Sequence, residues 1–319
     1  MSTLDDLPRS VTLLGPQRLK PTVGPTLARL GVDGPVAAIT AGWQESEDED
    51  DELLAHLGAK AFNLHLYRRA NQVFEADPEL AEAIHRRQQR LRHLQRLYSI
   101  RLSFALGAVR DLARPRKIQK RLLDRGRAEA MEAVRRLDTD HLQRLGEVNA
   151  GFERRWHPAA RTAVSTQRTD LTRLLEDCEA VVIAGGHVAV LLNRLRLFGV
   201  GRLLAGKRVV AWSAGAMASA SRVVLFHDMP PQGPGNSEIF ESGLSLFPDV
   251  LPMPHASRRL RLKDSARVAE LARRYDPSWC VAMDEESLLE WTPKRDWAAG
   301  EGNLCRLCLD GSVSEVGSC

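Results

Sequence analysis

"KRVVAWSAGAMASAS", Lys207 to Ser221, runs a short apolar segment into a serine and then into a row of small residues. Arg208 to Trp212 reads as a buried strand, and Ala214 onward reads as a tightly packed helix. Ser213 stands at the corner. A sharp strand-to-helix turn lifts such a side chain off the end of a sheet and needs small neighbours, which Ala211 and Gly215 supply. The same corner suits a plain helix-capping serine, so the stretch alone leaves nucleophile and cap both open.

Working outward, the device recurs at "AVVIAGGHVAVLL", Ala180 to Leu192, where a strand meets Gly185 and Gly186 before a leucine-rich helix. Glycines there let the backbone approach a ligand, and the turn does not match the dinucleotide pattern G-x-G-x-x-G. "RVVLFHD", "VLPMPHAS", "WCVAMDEESLLEW" and a terminal hairpin turning at Asp310-Gly311 continue the alternation. Upstream, "SVTLLG", "PVAAITAGW" and "AFNLHL" are strands joined by helical stretches. Continuous apolar strands alternating with helices predict an α/β domain with a mainly parallel, doubly wound sheet.

That pattern stops for about 100 residues. Asp77-Pro78-Glu79 is a helix start, and Leu80, Ile84, Leu91, Leu94, Tyr98, Leu102, Ala105, Val109 and Leu112 then recur at heptad-like spacing, interrupted by Arg87. Pro115 ends this helix, and a second follows from Ile118 to about Val148. The expected organisation is a core of residues 1–75 and 177–319 carrying a basic helical hairpin over 76–176.

The chain has 319 residues, 44% hydrophobic and 27% charged, in the range of soluble globular proteins. Its opening lacks a signal-peptide layout, and its longest apolar run is too short to span a bilayer, so a cytoplasmic protein without a membrane partner is expected. Five scattered cysteines do not make a disulfide framework, and the "CRLC" at Cys305 to Cys308 lacks a second pair for a metal and reads as strand. The net charge of +4 is uneven: Ala81 to Leu145 holds 17 Lys or Arg and 7 Asp or Glu, a net +10. Such charge supplies nonspecific nucleic-acid binding, but with few aromatics to stack bases that partner is not expected. The leucine stripe could equally serve a homo-oligomer or shape a cleft.

A serine needs a base and an orienting acid. His255, at the end of "VLPMPH", is one candidate base and His227, in "LFHDMPP", is its rival. Asp228 and Glu285 are the candidate acids. Ala214 and the glycine pair Gly185 and Gly186 offer backbone N–H groups to an oxyanion.

Taken together, "AGG", "WSAGA", "HDMP", "PMPH" and "MDE", in that order, resemble the serine peptidases that include dipeptidase E and cyanophycinase. Their fold is related to class I glutamine amidotransferases, with serine in place of cysteine. The resemblance covers Glu179 to about Trp291 and the first three strands in outline, and it omits the helical insertion. It implies Ser213 as nucleophile, His255 as base, Glu285 as the acid that orients it, Asp228 as a supporting carboxylate, and Gly186 and Ala214 as oxyanion donors. It also implies a small peptide or (iso)aspartyl peptide as substrate, with no metal or cofactor. Two positions depart. His187 stands where the family has asparagine, and the arginine that grips the substrate carboxylate in dipeptidase E falls on Asp264. A catalytically inactive member, whose insertion binds a partner, is the alternative reading.

Overall fold

The computed structural model describes residues 7–114, 117–231, 235–298 and 300–316. Pro115 and Cys319 lie outside them. The apolar runs fold as strands whose residues are buried almost throughout: β1 Ser10–Leu14, β2 Val36–Ile39, β4 Ala180–Ile183 and β5 Arg208–Trp212. Short β3, Ala61–Asn63, follows α1 Val23–Arg29 and α2 Asp51–Leu57. These five strands are parallel in the order β1-β5-β4-β2-β3. Antiparallel β10, Leu288–Thr292, and β11, Asp296–Trp297, extend the β1 edge to make seven strands. Strands this apolar need cover on both faces. One face packs α1 and α2, through Val23, Leu27, Leu53 and Leu57, and the other carries the larger core cluster.

The remaining strands leave this sheet. β8, Val250–Pro254, pairs in parallel with β9, Trp279–Met283, and β9 pairs with β12, Leu304–Leu307, in a sheet closed by β13, Val313–Ser314. Cys305 is therefore a strand residue, and the turn at Asp310-Gly311 joins β12 to β13. β6, Arg222–Leu225, and β7, Glu238–Ser242, form a separate antiparallel ribbon.

Between β3 and β4 stand α3 Leu66–Ala76, α4 Pro78–Ala113, α5 Lys120–Trp156 and α6 Thr162–Glu176. Asp77 caps α4, accepting from Leu80 N–H at 3.0 Å, with Pro78 in its first turn. The buried stripe of α4 is Leu80, Ala83, Leu91, Tyr98, Leu102 and Leu106. It drifts off the expected heptad at both ends because a straight 3.6-residue helix rotates away from a 3.5 repeat. Arg87 interrupts the stripe and still packs, its guanidinium 4.4 Å over the Phe152 ring of α5. Tyr98, Leu102, Leu106, Val134 and Leu137 belong to the same apolar cluster as sheet residues Val209 and Ala211. Among the described residues no helix is long and apolar enough to cross a membrane.

The later helices are α7 Val188–Leu197, α8 Val200–Leu203, α9 Ala214–Ser219, α10 Ala256–Arg259 and α11 Ser265–Tyr275.

Candidate active site

β5 ends at Trp212 and α9 begins at Ala214, so Ser213 alone makes the corner. Its backbone is forced to φ +50°, ψ −120°, a conformation that L-residues with side chains seldom hold. The corner presses against the next strand's turn. Gly185 lies so close that a Cβ there would stand 2.9 Å from Ser213 Cβ. Gly186 takes φ +108° with its Cα against Gly42, in the 3-10 turn Ala41–Ser46 that follows β2, where any side chain would collide with the Gly42 carbonyl. His187 N–H donates to that carbonyl at 2.7 Å, which fixes the turn. His187 Nδ1 then accepts from Val190 N–H at 3.3 Å and caps α7. An imidazole here does the capping work open to an asparagine, so this departure leaves the turn intact.

The β4 and β5 turns leave two N–H groups free. Neither Gly186 nor Ala214 has an acceptor for its backbone N–H among the described residues.

His255 comes from the other sheet. It follows β8 in a left-handed conformation, φ +57°, and its N–H donates to Met283 O at 2.9 Å, the end of β9. The turn aims its ring back toward the corner, placing Nε2 3.4 Å from Ser213 Oγ. Such contacts are often long before substrate binds. Burial is the first cause holding the His255 pKa below its usual value; the Arg259 and Arg258 charges add to it, and Glu285 and Asp284 oppose it. His227, the rival base, makes no hydrogen bond to Ser213 among the described residues, and its Nδ1 is buried without a partner there.

The two candidate acids part company. Glu285 sits in the turn after β9 and acts on His255 through its charge, while its carboxylate lies 3.5 Å from the Arg258 guanidinium. Asp228 is buried and committed elsewhere. Its Oδ2 accepts from Arg261 N–H at 2.9 Å and its Oδ1 from Arg267 at 2.7 and 2.9 Å. No hydrogen bond joins either carboxylate to His255 among the described residues. Spacing gave no hint of Asp284, whose carboxylate accepts from Ser257 N–H and Oγ–H, at 3.0 to 3.2 Å, and so clamps the first turn after His255. Its only sequence signal is its place beside Glu285.

Ser213 and His255 open onto a cleft of about 880 Å3, with Trp43, Trp212, Met217, Phe240 and Arg259 among its walls. Asp264 is not among them; it caps α11, accepting from Arg267 N–H at 3.1 Å. Among the described residues, no cluster of three His, Cys, Asp or Glu side chains is arranged to hold a metal ion.

A serine on a strained strand-to-helix corner, a histidine on its hydroxyl and two N–H groups without acceptors are the arrangement that serine hydrolysis requires. Comparison with known families agrees: residues 148–295 match the family model Peptidase family S51. Just under half of the chain is thus similar to peptidase family S51. The match supports a serine-type peptidase. The matched segment opens in α5 and closes just after β10, so it holds every candidate site residue. Two solved structures align over most of the chain's length. A peptidase from an acI-B1 Actinobacterium is 13% identical with a TM-score of 0.45, covering 96% of this chain and 93% of its own. A putative peptidase E protein from Listeria monocytogenes EGD-e is 11% identical with a TM-score of 0.44, covering 92% and 98%. No curated protein gives a significant match.

Proposed function

We propose that this protein is a serine peptidase that hydrolyses a small acidic peptide through an acyl-enzyme on Ser213. His255 Nε2 takes the hydroxyl proton as Oγ attacks the carbonyl carbon, and the C–O bond forms while the carbonyl electrons move to oxygen. The N–H groups of Gly186 and Ala214 receive that oxyanion. The imidazolium returns its proton to the leaving amine, and water, activated by the same imidazole, releases the acid. Glu285 favours the imidazolium through its charge. The supporting observation is the 3.4 Å Ser213 Oγ–His255 Nε2 contact beside two N–H groups without acceptors.

The acidic preference rests on Arg259. It lines the cleft, burial depresses its charged form, and it has no carboxylate partner among the described residues. A half-buried guanidinium without a counter-charge gains most from a ligand's carboxylate, which it can hold bidentately. Arg259 thus takes the part of the arginine of dipeptidase E, whose place Asp264 holds here.

The test is hydrolysis of N-terminal Asp, isoaspartyl and neutral dipeptides by the wild type and Ser213→Ala. Activity on the acidic members that vanishes in the variant is the expected result. Arg259→Met should raise KM for acidic substrates about tenfold or more and leave neutral ones unchanged. A Ser213 that stays unmodified by an acylating probe, by intact mass, together with a silent panel, would sink the reading.

A further inference from the structure

The helical hairpin of α4 and α5 is tied to the site by buried charge. Arg110 of α4 grips Glu270 of α11, with Nε donating to Oε2 at 2.7 Å and Nη2 to Oε1 at 3.1 Å. Glu270 also accepts from Arg267. Arg267 passes the connection to Asp228 at 2.7 and 2.9 Å and to Ser237 Oγ at 2.9 Å. Asp228 then holds two points of the segment that follows His255: its carboxylate takes Arg261 N–H at 2.9 Å, and its own N–H donates to Arg259 O at 2.8 Å. That segment closes on the histidine itself, since Arg258 and Arg259 N–H both donate to His255 O, at 3.1 and 3.0 Å.

Arg267, Asp228 and Glu270 are all less than a tenth exposed. Buried charges of this kind are costly unless every partner is in place, so the chain holds one arrangement or breaks. β9 fixes the front of the His255 turn through Met283 and Asp284; the charge chain fixes its back.

We propose that Arg110 and Glu270 are positioning residues, through which the hairpin holds the 255–261 segment and keeps His255 aimed at Ser213. This rests on the Ser213–His255 reading for its kinetic consequence, but its structural half stands without it. The groups facing His255 are Arg258 and Arg259 on α10 and Asp284 and Glu285 after β9. Loosening the segment lets water reach the ring, so the pKa that burial depresses should return toward its ordinary value.

The test compares Glu270→Gln and Arg110→Met with wild type in the full chain, using backbone hydrogen exchange over 255–262 and pH profiles of kcat and kcat/KM. Tyr98→Phe is the control. It cuts the Tyr98 hydroxyl's bonds to Asp138, Arg274 and Ile239 N–H, a second tie of the hairpin that bypasses Glu270 and reaches Arg267 only at one remove, through Arg274 and Ser237. Expected are faster exchange at 255–262, a fall in kcat of about tenfold and an acidic limb displaced upward in both test variants, with none of these in the control. Unchanged exchange and kcat in a folded Glu270→Gln, or the same losses in Tyr98→Phe, would overturn the proposal. Should Glu270→Gln not fold, Arg110→Met decides alone, because its side chain is 43% exposed and its loss leaves Glu270 still paired with Arg267. Exchange is read without substrate. If wild type cleaves nothing, the kinetic reading fails while faster exchange still supports the hairpin's hold.

Discussion

At the scale of single residues, His255 carries the most testable chemistry. Burial lowers its pKa first and the Arg259 charge second, so the neutral base persists to pH values below the ordinary 6.5. Because attack needs that base, kcat/KM should rise to its plateau with an acidic limb below pH 6.5. Glu285 opposes the shift. Glu285→Gln should therefore move the limb further down and lower kcat/KM by about ten- to a hundredfold, whereas Asp228→Asn should leave the limb where it is or raise it. A pH–rate profile of the three proteins checks both. The corner at Ser213 is legible in sequence because small residues on both sides of one serine leave few other backbone paths. The relation of Glu285 and Asp228 to His255 is not, since two residues near strand ends give no distance between side chains.

Elements repeat this division. Each apolar run from β1 to β6 and from β8 to β10 folds where its composition predicts, for a buried strand needs nothing but a continuous apolar segment and a turn, whereas β7, a half-buried alternation, offers no such run to read as a strand. Which sheet it joins depends on neighbours far along the chain, and so β8 and β9 leave the parallel sheet although their sequences look like β4 and β5. The hairpin hides its charge in the same way. Seventeen basic residues read as a solvated face, yet Asp138 of α5 lies buried, accepting from Arg274 Nε and Nη2 at 2.7 and 2.8 Å and from the Tyr98 hydroxyl at 2.7 Å. Asp138→Ala leaves Arg274, whose side chain has no exposure, without its carboxylate. It should cost about 3–5 kcal/mol in denaturant unfolding. His141 sits one turn on, stacked at 3.9 Å on Tyr98, and burial lowers its pKa to about 4. The unfolded chain takes that proton near pH 6.5 and the folded one only near 4, so stability should fall as pH drops between those values. An unfolding midpoint that follows pH in wild type, and less so in His141→Phe, is the expected outcome.

Across the whole molecule, the hydroxyl and the imidazole belong to different sheets. Ser213 rides on β5 of the seven-stranded sheet, and His255 on β8 of the four-stranded one. The two meet where Gly15, at the end of β1, donates to Ser287 O at 2.8 Å and packs against Asp284 with no room for a side chain. The pair thus works as a gauge laid across a seam. A slip of a fraction of an ångström between the halves opens a contact that is already 3.4 Å long, and neither half need lose a strand. Mild urea should silence turnover at concentrations where far-ultraviolet ellipticity is still intact, so that catalysis reports the fit of two bodies before spectroscopy reports the loss of either.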